Sequence, residues 1–459
     1  MEKNPTIGYL PDEQPPIWKL LLYAIQQVIV MFPATVAVAL ITGFHISTTI
    51  FASGLATICF ILVTKKQIPL YYGSSFSYIA AIGSLMASEA LAGHTLDEKI
   101  AVAQFGIIMS GLVSIAAGFV VNRFGRESIE KVLPATITGP IAMVIGLTLA
   151  GNALADATSI AIDTAGTVTV AESQIAMAKN LAWIISLVTL LATILFSVYL
   201  KGFLGQLPLI LGPLLGCITA LIVQAVTGIN LFKVMPEAAS GIFALPHFTF
   251  PRASWMAVAA IMPIAIATIP ESTAHVYQLD IYVNDLAKKK GTGKTYNIAD
   301  KLGLNLIGDG IGDMVSGLVG GPAGTNYGEN ISAMAITRVF SVPVLLVASV
   351  IAMVIACFTP LINTIYSIPI AVIGGLEVYL FGAIAAQGIA IMVEKKVDLF
   401  SSKNVAIIAT IMVIGLGGQY AFGGNIPFFG MNIPCVAGAA IFGILLNLIL
   451  SIGQKKKEA

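Results

Sequence analysis

The residues of this chain that could do chemistry are few, and they stand inside apolar sequence. In IATIPESTAHVYQLD, Ile266 to Asp280, Glu271 and His275 follow the apolar run WMAVAAIMP. Residues four apart share one face of a helix and can touch. A carboxylate and an imidazole so placed can share a proton, and they can equally form a buried structural hydrogen bond. Spacing alone leaves both readings open. It does not point to a metal site, since H-E-x-x-H is absent and no third ligand lies nearby in sequence.

Glu329 stands in GPAGTNYGENISAMAITR, where a glycine-rich stretch ends and a helix should begin. The first N–H groups of a helix have no partner within it and can donate to a ligand's carbonyl oxygens. A carboxylate beside them accepts N–H donors. Together they make a donor-and-acceptor edge suited to a small planar amide-like ring, such as a pyrimidine or purine base. Phe76, at a second short helix, could add an aromatic wall or a backbone N–H. Asp309 and Asp313, in LIGDGIGDMVSG, are also four apart. They are expected to bond neighbouring helices or to hold the broken segment that follows. Glu377, in IGGLEVYLFG, takes no assigned role.

These groups need elements to position them, and composition says what kind. Of 459 residues 57% are hydrophobic and only 10% charged, where a soluble domain carries roughly 25% charged. The apolar residues come in runs of about 20, the length that crosses the hydrocarbon core as helix. The expected fold class is therefore an all-α polytopic membrane protein with about fourteen transmembrane segments. The first seven are Ile17 to Leu40, Ile46 to Val63, a short Phe76 to Met86, Ile100 to Val121, Pro134 to Gly151, Leu181 to Leu200 and Pro208 to Val226. The second seven are Trp255 to Val283, Leu302 to Val319, a short Gly328 to Ile336, Val339 to Ile362, Pro369 to Val393, Asn404 to Tyr420 and Asn432 to Ile452.

Fourteen divides into two sevens, and an odd number per half inverts the second half relative to the first. The expected organisation is a cytoplasmic tail 1–16, a first repeat 17–228, an extracellular connection 229–254, a second repeat 255–452 and a cytoplasmic tail 453–459. The third segment of each half is short and follows a Gly/Pro-interrupted stretch, YYGSS (Tyr71 to Ser75) and GGPAGTNY (Gly320 to Tyr327). Such corresponding interruptions point to a transporter's binding site, because irregular backbone at membrane depth is tolerated only around protein or a water-filled cavity; the alternative is two ordinary loops between short helices.

Charge supports the count. With the amino terminus inside, only Lys99, Lys179, Lys233 and Arg252 of the 24 Lys and Arg fall outside, as the positive-inside rule asks. Lys65, Lys66, Arg123, Arg126, Lys288 to Lys290, Lys395, Lys396 and Lys455 to Lys457 fall inside. His45, His94 and His247 fall in outside loops. The first sixteen residues lack a signal-peptide pattern. The four cysteines, Cys59, Cys217, Cys357 and Cys435, lie in apolar runs without metal-type spacing and read as small buried hydrophobes. KKKGTGKT has Lys288 where a phosphate loop needs glycine, and GDGIG, Gly308 to Gly312, falls in a membrane span, so neither supports nucleotide hydrolysis.

The chain resembles the nucleobase–ascorbate transporters (nucleobase:cation symporter-2), and within them the bacterial uracil permeases. The likeness runs from IQQVIVMFPATV (Ile25 to Val36) through YYGSSFSYI, PESTAH and NYGENISAMAITR to the last spans. Its most specific part is ENISAMAITR, Glu329 to Arg338. The resemblance implies strand-like pieces before two half-helices, a core domain of segments 1–4 and 8–11, and a gate domain of segments 5–7 and 12–14. It implies that Glu271 and Glu329 bond the base, that Phe76 and Gly328 donate backbone N–H groups, and that Tyr327 and Ser75 complete the site. His275 would couple protonation to Glu271, with Glu329 as a further proton carrier, and Asn330, Gln27, Asp309 and Asp313 would stand behind the site. Dimerisation through the gate is a further family expectation.

Departures cluster near the site. A Gln-His pair of many relatives is Gln26-Gln27 here, the signature glycine is Ser332, a usual tyrosine is Phe381, and Ser272 and Thr273 stand between acid and histidine, where they are expected to tune which base is taken. The leading expectation is a proton-coupled importer of uracil or a related base, multi-pass in the plasma (inner) membrane with both termini cytoplasmic. No catalytic residue, metal, cofactor or nucleic-acid partner is expected; the coupling ion is the proton, with sodium left open. The alternatives are a xanthine, guanine or urate permease of the same family and an anion exchanger of the same architecture, which two acids beside the site disfavour. An enzyme would need a nucleophile with its base or a metal triad, and neither is found. A receptor would bind without net flux.

Overall fold

The structure, a computed structural model, describes residues 8–125, 127, 132–160, 170–202, 204–233, 241–429 and 431–452. Arg126, Lys455 to Lys457, the whole of the 453–459 tail, the start of the 1–16 tail and part of the 229–254 connection lie outside these residues.

In chain order come α1 (Ile17–Thr42), α2 (Ile46–Val63), β1 (Tyr72–Ser74), a 3-10 turn Phe76–Tyr78 leading into α3 (Ile79–Met86), and α4 (Leu96–Phe124). Then follow α5 (Ala135–Thr148), α6 (Ala150–Ala157), α7 (Ile175–Tyr199) and α8 (Pro208–Thr227). The second part of the chain gives α9 (Trp255–Ile261), α10 (Ala265–Lys289), α11 (Leu302–Val319), β2 (Gly324–Asn326), α12 (Gly328–Thr337), α13 (Val342–Ala356) and α14 (Thr359–Tyr366). It closes with α15 (Ile370–Glu394), α16 (Ser402–Phe422), β3 (Asn425–Phe428), β4 (Met431–Pro434) and α17 (Cys435–Ser451).

Nine helical stretches among the described residues are long and apolar enough to cross a membrane: α1, α2, α4, α5 with α6, the stretch ending in α7, α8, α9 with α10, α15 and α16. Large apolar side chains on their outer faces, such as Val226, Val413 and Tyr420, stay exposed. In a lipid-facing helix that exposure is the favourable state.

The helices pack in two groups. In one, α11 lies along α4 and α2, α13 along α1 and α2, and α9 along α4. In the other, α15 packs on α5, α6 and α7, α7 on α8, and α16 on α5 and α17. The α4–α11 contact depends on small residues, the usual device where no solvent drives helices together. A Cβ on Gly111 would stand 2.4 Å from the Gly310 carbonyl oxygen, and one on Gly118 2.5 Å from that of Gly303. Gly308 to Gly312 are thus helix-packing residues within α11.

Three stretches differ from the sequence expectation. The span from Trp255 is interrupted by a 3-10 turn, Met262–Ile264, and runs on to Lys289; Pro263 has no N–H to bond back into α9 and its ring crowds the preceding turn. The span Val339 to Ile362 is divided into α13 and α14, with Pro360 in the first turn of the latter, a position where the missing N–H costs nothing. The last span begins later, after an antiparallel hairpin in which Asn425 pairs with Pro434 and Ile426 with Ile433. Asn-Ile-Pro occurs in both strands, at 425–427 and 432–434.

Residues 8–16, expected as a tail, are bound to the rest of the chain. Tyr9 N–H donates to the Arg338 carbonyl (2.9 Å), Phe340 N–H to that of Tyr9 (2.8 Å) and Val342 N–H to that of Pro11 (3.1 Å). Lys290 Nζ meets Glu13 Oε2 at 2.6 Å, and Lys294 Nζ meets Asp12 Oδ2 at 2.6 Å. Lys294 and the Tyr296 hydroxyl beside Asp12 hold its carboxyl below the usual carboxylate range.

Candidate functional site

The site is built on a two-stranded sheet inside the first helix group. β1 and β2 run antiparallel, with Tyr72 opposite Asn326, Gly73 opposite Thr325 and Ser74 opposite Gly324. All six residues are buried. Two three-residue strands would not pair stably alone, so side chains from the surrounding helices hold them. Asp313 on α11 accepts from the Tyr72 hydroxyl (2.5 Å) and from Gly324 N–H (2.8 Å). Ser53 and Thr57 on α2 donate to the Tyr72 carbonyl at 2.8 and 3.0 Å.

A second buried cluster fixes α10 against α11 and β2. Ser272 donates to Asp309 Oδ2. Asn305 Nδ2 donates to Ser272 Oγ at 2.7 Å, and Asn326 Nδ2 donates to Asn305 Oδ1 at 3.0 Å. Asp309 and Asp313 therefore stand in the scaffold, outside the cavity wall. Ser272 belongs there too and does not line the cavity: one residue after Glu271 the helix has turned about 100°, and Ser272 is buried among α11 side chains. Thr273 does line the cavity, with its hydroxyl bonded to the Ile269 carbonyl at 2.7 Å.

Each strand delivers a short helix start to one cavity of about 1030 Å³. At the first, Ser75 Oγ accepts from Ser77 N–H (3.3 Å), and Phe76 reaches the cavity half-buried. At the second, Tyr327 precedes α12 and supplies no side-chain cap. The Gly328 N–H thus starts the helix without a cap from Tyr327, at the end where its dipole favours acceptors, while the Glu329 carboxyl faces its own backbone N–H. Tyr327 lines the cavity, but its hydroxyl donates to the Ser74 carbonyl (3.0 Å) and meets Thr35 Oγ1 at 2.9 Å. It fastens β2 to β1 and α1. Asn330 Nδ2 donates to Gln27 Oε1 (2.8 Å) and to the Gln27 carbonyl (3.0 Å), which fixes α12 to α1.

Glu271, His275 and Glu329 all line this cavity. Among the described residues no hydrogen bond joins Glu271 to His275. Glu271 faces Ser77 and Glu329, while His275 faces the Asn326 backbone. Its Nε2 also lies against Gly328, where a Cβ would come within 2.8 Å. The four-residue spacing put both on one face but left their rotamers open, and the backbone of β2 competes for the imidazole. Among the described residues, His275 Nδ1 is buried without a hydrogen-bond partner.

Glu377 is buried on α15 outside the cavity, near Asp156 and Lys233. Sequence reading passed over Ser77, Thr35, Asn305 and Asn326. Their only signal was a polar side chain inside an apolar run, which becomes informative once the helices that meet there are known. From its inner end the cavity runs past Gln278 and Tyr282 to Pro134, Lys395 and Val397. Its lining thus reaches the end of the bundle where the sequence places cytoplasmic loops.

A model described as a permease family matches residues 18–424. The chain is 35% identical to a uracil permease of Bacillus caldolyticus, over 96% of this chain and 94% of the relative. It is 32% identical to a uracil permease of Escherichia coli K12, over 96% and 93%. In fold it is similar to the transmembrane domain of a cyanobacterium bicarbonate transporter, BicA, with TM-score 0.57 and 16% identity over 95% of this chain and 97% of the other.

Proposed function

The chain belongs to the nucleobase–ascorbate (nucleobase:cation symporter-2) permease family, and from that premise we propose that it imports uracil, or a closely related base, with protons by alternating access. It is a multi-pass membrane protein and a transporter rather than an enzyme, and a nucleobase is the substrate the family implies. The observation that carries the finer reading is one cavity reaching two opposed helix starts and two carboxyl groups, Glu271 and Glu329. Uracil presents two carbonyl acceptors and two ring N–H donors. The N–H groups of Phe76 and Gly328 meet the carbonyls, Glu271 and Glu329 accept the ring N–H groups, and the Phe76 ring covers one face.

The nine long apolar stretches, the three shorter apolar helices, and α11 and α12 add to fourteen, which supports the reading of fourteen segments in two inverted sevens. The first helix group then acts as the core domain and the second as the gate, with dimerisation through the gate and both termini in the cytoplasm of a plasma-membrane protein. The cavity lining reaches Pro134 and Lys395, which supports an inward-facing state. Protons on Glu271, His275 and Glu329 favour binding and closure, and their loss on the cytoplasmic side releases the base. With His275 turned to the Asn326 backbone, Glu271 and Glu329 form the nearer proton-sharing pair.

The test is uptake of labelled uracil by proteoliposomes under an imposed pH gradient. Accumulation should require acid outside and fall at least about 10-fold in Glu271→Gln, which loses the titratable group and a hydrogen bond of about 1.5 kcal/mol. Uptake indifferent to the gradient would remove the proton from the mechanism. A competition series of unlabelled uracil, xanthine, guanine and urate separates uracil from the purine alternatives.

A further inference from the structure

At the end of the first helix group away from the cavity mouth, three side chains from distant parts of the chain converge. His45 precedes α2, Asp97 lies in the first turn of α4, and His247 lies in the extended segment before α9. His45 Nε2 is 2.8 Å from Asp97 Oδ1, and His247 Nε2 is 2.9 Å from Asp97 Oδ2. One potential ligand atom from each residue lies within 4.8 Å of the others. The two rings meet edge to face with centroids 4.7 Å apart.

The arrangement is held from behind. The His45 carbonyl accepts from Thr49 N–H at 2.8 Å, and Thr48 Oγ1 donates to the His247 carbonyl at 2.6 Å, so both histidines are tied to the first turn of α2. Asp97 is fixed by the capping box of Thr95 and Glu98 at the start of α4.

We propose that His45, Asp97 and His247 form a site for one divalent transition-metal cation of the zinc type. Two imidazole nitrogens and one carboxylate oxygen are a recognised three-ligand set for that ion, with water at the fourth position. Imidazole also selects such ions over calcium and magnesium, which take oxygen ligands. On binding, each neutral imidazole turns an unprotonated Nε2 to the ion and carries its one proton on Nδ1. Ligand atoms about 2.0–2.2 Å from zinc in a tetrahedron stand roughly 3.3–3.6 Å apart, so the 2.8 and 2.9 Å contacts open slightly while wider pairs, up to 4.8 Å, close. Access is open, since the His247 side chain is 58% exposed and that of Asp97 48%. All three ligands stand on the same helix group, so the ion fastens its outer end and leaves the second group free. The site is thus stabilising and independent of which base is carried.

The experiment is isothermal titration of zinc chloride into the detergent-purified full-length protein, free of any polyhistidine tag, with Tm followed in parallel. One zinc per chain and a saturable rise in Tm, both reversed by EDTA, are expected. His247→Ala and Asp97→Asn should each weaken binding at least about 10-fold. Metal-free Tm and gel-filtration volume show whether each variant is folded, and the exposed His247 keeps the test valid should Asp97→Asn unfold. Absence of saturable zinc binding in the unmodified protein overturns the proposal. Unchanged affinity in folded His247→Ala does so too, since it shows zinc held elsewhere.

Discussion

The two strand-and-helix units that meet at the cavity share a plan and differ in chemistry. Both consist of a three-residue strand followed at once by a short helix, and their strands pair with each other. The first unit carries no ionisable side chain at the cavity and begins with a serine-capped 3-10 turn; it offers an aromatic ring and a backbone donor. The second begins without a cap from Tyr327, carries Glu329, and is fastened by Asn330 to Gln27 and by Tyr327 to Thr35. A ligand with donors on one edge and acceptors on another needs this inequality. The unit that carries the charge is also the more heavily tied, as a carboxyl group must be held in place if it is to read the position of one N–H.

Asp313 joins the two units, so its loss is expected to have the largest effect. Asp313→Ala leaves the Tyr72 hydroxyl and Gly324 N–H buried without an acceptor, at about 1–3 kcal/mol each. Thermal unfolding should register the whole loss, and Asp313→Asn, which can keep the single oxygen that accepts both bonds, should recover most of it. An unchanged Tm would show that the strands are held by something else. Glu329→Gln touches the second unit alone and exchanges one acceptor oxygen for a donor; uracil affinity should fall about 10- to 100-fold with Tm nearly constant. Equal affinity would make the two units chemically alike.

Gly328→Ala should act less strongly and by displacement, because the new methyl group would stand 2.8 Å from His275 Nε2. Binding should weaken about tenfold, as for a lost hydrogen bond near the upper end of the neutral range, and adding His275→Ala should restore part of it. No recovery in the double variant would mean that the ring is not what the methyl group strikes. The smallest effect is expected from Ser75→Ala in the first unit. Removing that cap costs about 1 kcal/mol, seen as a slight fall in Tm, whereas a collapse of binding would show that the first unit is the more finely positioned of the two.

The membrane class and the two short helices were legible because burying charge or irregular backbone in hydrocarbon is costly. That cost confines both to places where they are used. The meeting of Glu271, Glu329, Phe76 and Gly328 at one cavity was implied by the family resemblance. What remained illegible depended on rotamers and on long-range partners. The one-face rule could not say that His275 turns to the Asn326 backbone, nor that Ser272 turns away from the cavity to Asp309. The hairpin before α17 was hidden for another reason: strands of four residues between two long apolar runs are too short to show a period, and only the repeated Asn-Ile-Pro marked it.

The binding of residues 8–16 to residues 338–342 has a consequence for biogenesis. The first of these segments leaves the ribosome about 330 residues before the second, a delay of roughly 15–65 s at common synthesis rates. The parallel bridge between Tyr9 and Val339 closes a loop spanning most of the chain. It forms only after the second strand-and-helix unit has been made, so residues 8–16 lack this partner while the helices before that unit are synthesised. A fusion partner placed directly before Gly8 would be present throughout that wait, and it would burden assembly more than it would burden the finished protein.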